Sequence, residues 1–164
     1  MSVRELAATC FYIGHAPIGP GTLGSLAATA VAAALWRFAG APAAGWVLLG
    51  LSAAMFGPGV LLGTWSERHY RRRDPPVFVF DEVVGCFLST SVPLLLYPHI
   101  GEFVWVGGLP FLFFRIFDAL KPFPVNLAER VRGGWGIMLD DIVAACFAVA
   151  ATIAGLALFA GPPG

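Results

Sequence analysis

"GWVLLGLSAAMFGPGVLLGT", Gly45 to Thr64, holds no charged residue over a length that crosses a lipid bilayer. About 20 residues of helix, rising 1.5 Å each, match the ~30 Å hydrocarbon core. The remainder of the 164-residue chain has the same character: 58% of residues are hydrophobic, 12% are charged, and the mean hydropathy is +0.79. Soluble proteins carry roughly 25% charged and ~45–50% apolar residues. A soluble domain of this size has too little interior to hide so many apolar side chains, so lipid is the second solvent that the composition requires. The length suits a single domain, residues 1–164, and no repeat or long linker divides it.

Outward from that stretch, four further helical segments are predicted, at about Leu23–Phe38, Val83–Tyr97, Phe103–Phe117 and Ile142–Ala160. Several fall short of a full span, which tilting or local bilayer thinning accommodates. The expected fold is all-α: a helical membrane protein with four to five hydrophobic helices and a cytoplasmic-face active site. The N-terminal "MSVRELAATCFYIG" has an early glutamate and no extended apolar core, and is not expected to act as a secretory signal.

The charges divide by face. With the N-terminus inside, the inner segments are residues 1–22, 65–82 and 115–141. They hold nine of the ten basic residues, all but Arg37, and nine of the ten acidic residues, all but Glu102. Lys and Arg enrichment marks cytoplasmic loops, and "ERHYRRRDPP" is a strong orientation signal. Arg71 to Arg73 read most simply as attraction to anionic headgroups, at ~1 kcal/mol each. Zero net charge gives no footprint for nucleic acid. Cys10, Cys86 and Cys146 lie among apolar residues without metal-ligand spacing. The histidines, at 15, 69 and 99, are too scattered for a zinc site, although His15 stands where it could touch a substrate.

Four stretches on the inner side carry chemistry. In "APIGPGTLGSL", Ala16 to Leu26, Pro20 and Gly21 form a turn and Thr22 or Ser25 opens a helix, giving N–H and hydroxyl donors for an anion. In "DPPVFVFDEVVG", Asp81 and Glu82 stand where the chain re-enters the membrane, with Gly85 one turn later leaving room for a ligand. In "FRIFDALKPFP", Arg115, Asp118 and Lys121 lie three residues apart at a helix end that Pro122 terminates. In "GGWGIMLDDIVAA", Asp140 and Asp141 open the last helix after a glycine-rich loop able to fold over a ligand.

Each stretch alone has a plain structural explanation, as a helix cap or an ion-pair ladder. Together they gather five carboxylates at helix ends on one face, where they would repel one another and lose hydration without a counterion. A hard divalent cation, Mg²⁺, resolves this through oxygen ligands. A small helical membrane transporter or ion-binding protein is the alternative reading. Transporters place ionisable groups near the bilayer midplane, whereas these acids sit at helix ends.

"PIGPGTLGS", "DEVVG", "FRIFDALKPFPV" and "GGWGIMLDDIVA", in this order from about Ile13 to Ala145, resemble the phosphatidylglycerophosphatase A family. The resemblance implies a Mg²⁺-dependent phosphatase of the inner membrane, multi-pass, that converts phosphatidylglycerophosphate to phosphatidylglycerol. On this reading Asp81, Glu82, Asp140 and Asp141 hold metal, and Asp81, Asp118, Asp140 and Asp141 form the catalytic group. Thr22, Ser25, Arg115 and Lys121 bind the phosphate. The attacking group is either an activated water or one of the aspartates. The sequence fixes no oligomeric state.

Overall fold

The computed structural model describes residues 2–160, so Met1 and residues 161–164 of the expected domain lie outside the described residues. Among the described residues every regular element is helical. Helix α1 (Val3–Ala8) starts at Ser2, whose hydroxyl accepts the Glu5 N–H at 3.1 Å. A short 3₁₀ turn at Ile13–His15 leads to α2 (Pro20–Ala39), which has proline in its first turn, where no backbone donor is lost. Gly40, at φ 81°, ends α2 and begins α3 (Ala41–Tyr70). A left-handed backbone there lets the two helices reverse within one residue and pack antiparallel.

The chain then returns through α4 (Phe80–Leu96), a π-helical turn at Val104–Gly108 and α5 (Leu109–Leu120). It finishes with the single turn α6 (Val125–Ala128) and the long α7 (Gly134–Ala160). Helix α5 stops at Lys121, φ 43°, immediately before Pro122. Helix α4 is the hub: it packs against α2, α3, α5 and α7 and buries Cys86, Phe87 and Leu94 in the main core.

Three helices are long and apolar enough to cross a membrane: Pro20–Ala39, Ala41–Tyr70 and Gly134–Phe159. The first is longer than the expected Leu23–Phe38. The other two expected hydrophobic segments are helices too, α4 and α5, but at 17 and 12 residues they are shorter than these candidate spans. The outward faces of the long helices carry Phe38, Trp46, Leu61, Leu158 and Phe159, largely exposed. So much bare aromatic and aliphatic surface suits lipid and is costly in water.

Two boundaries move charged residues. The α3 helix runs to Tyr70, so Arg68 and His69 belong to its last turn rather than to a loop. The α7 helix begins at Gly134, so Asp140 and Asp141 lie nearly two turns inside it and do not open it.

Candidate active site

The starts of α2, α4 and α7 and the ends of α3 and α5 meet at one end of the bundle, around a cavity of about 350 Å³. Its walls carry Thr22 from α2, Asp81 and Glu82 from α4, Arg115 and Asp118 from α5, Lys121 beyond α5, and Asp140 and Asp141 from α7. Eight of the nine expected site residues therefore face one space. The ninth does not: Ser25 is fully buried, and its hydroxyl donates to the Gly21 carbonyl at 3.0 Å.

Asp81, Glu82 and Asp141 each present a carboxylate oxygen, and the three lie within 4.8 Å of one another. Asp81 and Asp141 are only 6% and 4% exposed. Glu82 Oε2 and Asp141 Oδ2 are buried without a hydrogen-bond donor. Buried carboxylates this close repel one another and have surrendered their hydration, so a cation is the group that completes them. The donor set, all oxygen with no histidine or thiolate, fits a hard divalent cation.

The other two acids are held by cations. Arg115 Nη1 lies 2.6 Å from Asp118 Oδ2 and 4.0 Å from Glu82 Oε1. Lys121 Nζ donates to Asp140 Oδ2 at 2.7 Å and lies 3.3 Å from Glu129 Oε1. Burial works against the Lys121 ammonium, but its hydrogen bond to Asp140 and the charges of Asp140, Glu129 and Asp74 outweigh that and raise its pKa above the usual lysine value. The expected ladder along α5 is thus half present. Arg115 meets Asp118 one turn on, whereas Lys121 turns across to α7. The adjacent aspartates also divide their work: Asp141 joins the carboxylate cluster and Asp140 anchors Lys121.

Glycines position these groups, though not always as the sequence suggests. A Cβ on Gly21 would stand 2.0 Å from Glu82 Oε1, so the bare backbone is what lets that carboxylate lie against the start of α2. The favourable helix dipole is at this end. Gly85 does not leave room for a ligand; a Cβ there would meet the Phe114 ring at 2.6 Å. The glycines of "GGWG" do not form an open loop over the site. Cβ atoms on Gly134 and Gly136 would meet the carbonyl oxygens of Val60 and Val131, at 1.9 and 2.1 Å. Gly134 brings α7 close to α3, where its N–H also donates to Thr64 Oγ1 at 3.0 Å, and Gly136 lets the start of α7 lie against the turn that precedes it.

Two charged wall residues were not among the expected site residues: Asp74, and Arg72, which was read as attracted to headgroups. The available signal was the "RRRDPP" turn, in which Asp74 precedes two prolines that fix the chain's return toward α4. His15 does not line the cavity; it lies 3.8 Å from Glu5 and tilts against the Tyr12 ring.

Fold and site define a class: an all-helical membrane protein with a cavity of carboxylates and cations at one end of its bundle, suited to a phosphate ester and a hard cation. Comparison with known proteins gives the family. The family model described as Phosphatidylglycerophosphatase A matches residues 6–156, and the chain belongs to that family of phosphoric monoester hydrolases. It is 34% identical over 147 residues to phosphatidylglycerophosphatase A of Haemophilus influenzae, covering 88% of this chain and 83% of that one. The Escherichia coli phosphatidylglycerophosphatase A is 34% identical over 145 residues, with 85% and 76% covered. A Bacteroides thetaiotaomicron protein, provisionally named a phosphatidylinositol-3-phosphatase, is 34% identical over 147 residues, with 87% and 86% covered. No solved structure matches.

Proposed function

We propose that this chain is a Mg²⁺-dependent phosphatase of the inner membrane that hydrolyses the terminal monoester of phosphatidylglycerophosphate, from the cytoplasmic face, to phosphatidylglycerol and phosphate. The observation that carries the reading is the meeting of Asp81, Glu82 and Asp141 within 4.8 Å in a cavity also walled by Arg115 and Lys121. Family membership supports the reaction class, and the names of two relatives support the substrate. The nine basic residues in the three segments that also carry the site's acids support the cytoplasmic assignment.

Asp81, Glu82 and Asp141 would hold the metal, with Asp140 and Asp118 beside them. When bound, Mg²⁺ supplies Lewis-acid polarisation of the phosphate and acidifies a water. The chain's own residues do the rest. Arg115 and Lys121 neutralise phosphoryl oxygens as charge builds on them. Asp118 and Asp140 fix those two cations in place through their ion pairs, so that little reorganisation is needed at the reacting phosphate. Thr22 and the first N–H groups of α2, which have no intrahelical acceptor, add donors at the positive end of the helix.

The test is phosphate release by purified protein from a panel of phosphatidylglycerophosphate, phosphatidylinositol 3-phosphate and phosphatidate, with Mg²⁺ and with EDTA. The proposal expects the first lipid to be preferred, EDTA to abolish release, and Asp81→Asn or Asp141→Asn to lower it by about 10³-fold or more while the protein stays folded. Preference for either other lipid, or turnover in EDTA, contradicts it.

A further inference from the structure

A second cavity, about 460 Å³, lies beside the polar one and is lined almost wholly by apolar side chains. One wall is α1 and the turn after it, with Leu6, Ala7 and Phe11; the other is formed by Ala27 and Ala28 of α2 and Phe87 of α4. Cys10 is the least apolar lining residue, and its thiol points at the Val79 carbonyl, 3.8 Å away. The rim is apolar too: Val3 and Phe11 are 84% and 80% exposed.

The two cavities are stacked along the same helices. Helix α2 lends Gly21 and Thr22 to the polar cavity and Ala27, Ala28 and Val31 to the apolar one. On helix α4 the two linings interleave: Asp81 and Glu82 face the polar cavity, whereas Phe80, Val83 and Phe87 face the apolar one. On α2 five or six residues separate the two linings, about 8–9 Å of helix. Helix α2 begins at the charged end, so the apolar cavity extends along it from beside the polar one toward the other end of the bundle. Ala27 and Ala28 supply the width, since larger side chains there would fill it.

We infer that this groove holds one acyl chain of the lipid whose phosphate occupies the polar cavity, with α1 and Phe11 forming its lateral mouth. The inference rests on the lipid-phosphatase reading for the identity of that lipid. It adds that the enzyme grips the tail as well as the headgroup, and that substrate enters sideways from the membrane between α1 and α2.

Two measurements test it in the full-length protein. The first compares kcat/KM for dioleoyl and dihexanoyl forms of phosphatidylglycerophosphate at fixed surface fraction in mixed micelles. Ala27→Trp, which fills the groove, should lower the long-chain to short-chain ratio by about tenfold or more, the worth of two methylene groups kept out of an apolar site. An unchanged ratio in a folded Ala27→Trp protein overturns the inference. The second does not depend on turnover: a phosphatidate carrying a diazirine in one acyl chain is photolysed with the protein and the labelled peptides are identified by mass spectrometry. Labelling of residues 3–13 and 27–31, suppressed in Ala27→Trp and weakened in Phe11→Ala, supports the groove. Labelling confined to the outward faces of α3 and α7, or undiminished in Ala27→Trp, shows bulk lipid or some other occupant and overturns it. If the wild-type protein hydrolyses neither lipid, the phosphatase reading fails, and the labelling pattern still decides the groove.

Discussion

Gly21→Ala separates folding from function, because it adds a single methyl group where the α2 backbone lies against a candidate metal ligand, Glu82. The new Cβ would stand 2.0 Å from Glu82 Oε1 and 2.9 Å from its Cδ, whereas Cβ atoms do not approach other heavy atoms within 3.0 Å. The Glu82 carboxylate, at the free end of a flexible side chain, must therefore withdraw by at least about 1 Å. The fold has little to lose. Gly21 lies within α2, and replacing helical glycine by alanine commonly stabilises by ~0.4–1 kcal/mol. The site has much to lose, since a displacement of about 1 Å in a positioned group costs on the order of 100-fold in rate. That is roughly 2.7 kcal/mol of barrier. Gly21→Ala is expected to melt at or slightly above the wild-type Tm, to release phosphate from phosphatidylglycerophosphate about 100-fold more slowly, and to need more Mg²⁺ for half-maximal rate. Turnover within about threefold of wild type, or a slow variant with an unchanged Mg²⁺ requirement, would refute the placing of Glu82 among the metal ligands.

Other substitutions separate the remaining roles. Arg115→Met should lower kcat/KM by about 10²–10³, the usual cost of losing one preorganised charge on a reacting oxyanion, with a smaller effect on Tm. Thr22→Ala should raise KM, whereas Ser25→Ala should leave KM unchanged and lower stability by about 1 kcal/mol in a denaturation assay, because its hydroxyl bonds only to the Gly21 carbonyl. Gly134→Ala should destabilise by about 1–3 kcal/mol, since the added Cβ meets the Val60 carbonyl oxygen and forces α7 away from α3, and activity should fall with it because Asp140 and Asp141 ride on α7.

The sequence disclosed the chemistry of this end of the molecule better than its geometry. Charge asymmetry and the absence of charge from Gly45 to Thr64 marked a one-faced helical membrane protein, because burying an unpaired charge in lipid is costly enough to leave a trace in composition. Eight of nine site residues converge because each acid or base stands at or near a helix end, and short loops bring those ends together. What could not be read was what each small residue touches. Gly85, Gly134 and Gly136 look like room for a ligand or a pliant loop, yet each is filled by Phe114, Val60 or Val131 from another part of the chain. The same glycine run hid the first two turns of α7, since glycine is a weak helix former and only packing on α3 makes those turns favourable. Placing Asp140 and Asp141 at a cap followed from that hidden start. Ser25 failed for a related reason: a hydroxyl inside a helix bonds back to the carbonyl four residues earlier unless something draws it outward.

The central claim is that Asp81, Glu82 and Asp141 share one divalent cation. Titrating the detergent-purified protein with Mn²⁺, and counting the free ion by electron paramagnetic resonance, tests it most directly. Saturable binding that Mg²⁺ displaces, and that Asp141→Asn weakens by about 100-fold in a protein of unchanged Tm, is the predicted result. Equal Mn²⁺ binding by the wild-type and Asp141→Asn proteins would contradict it.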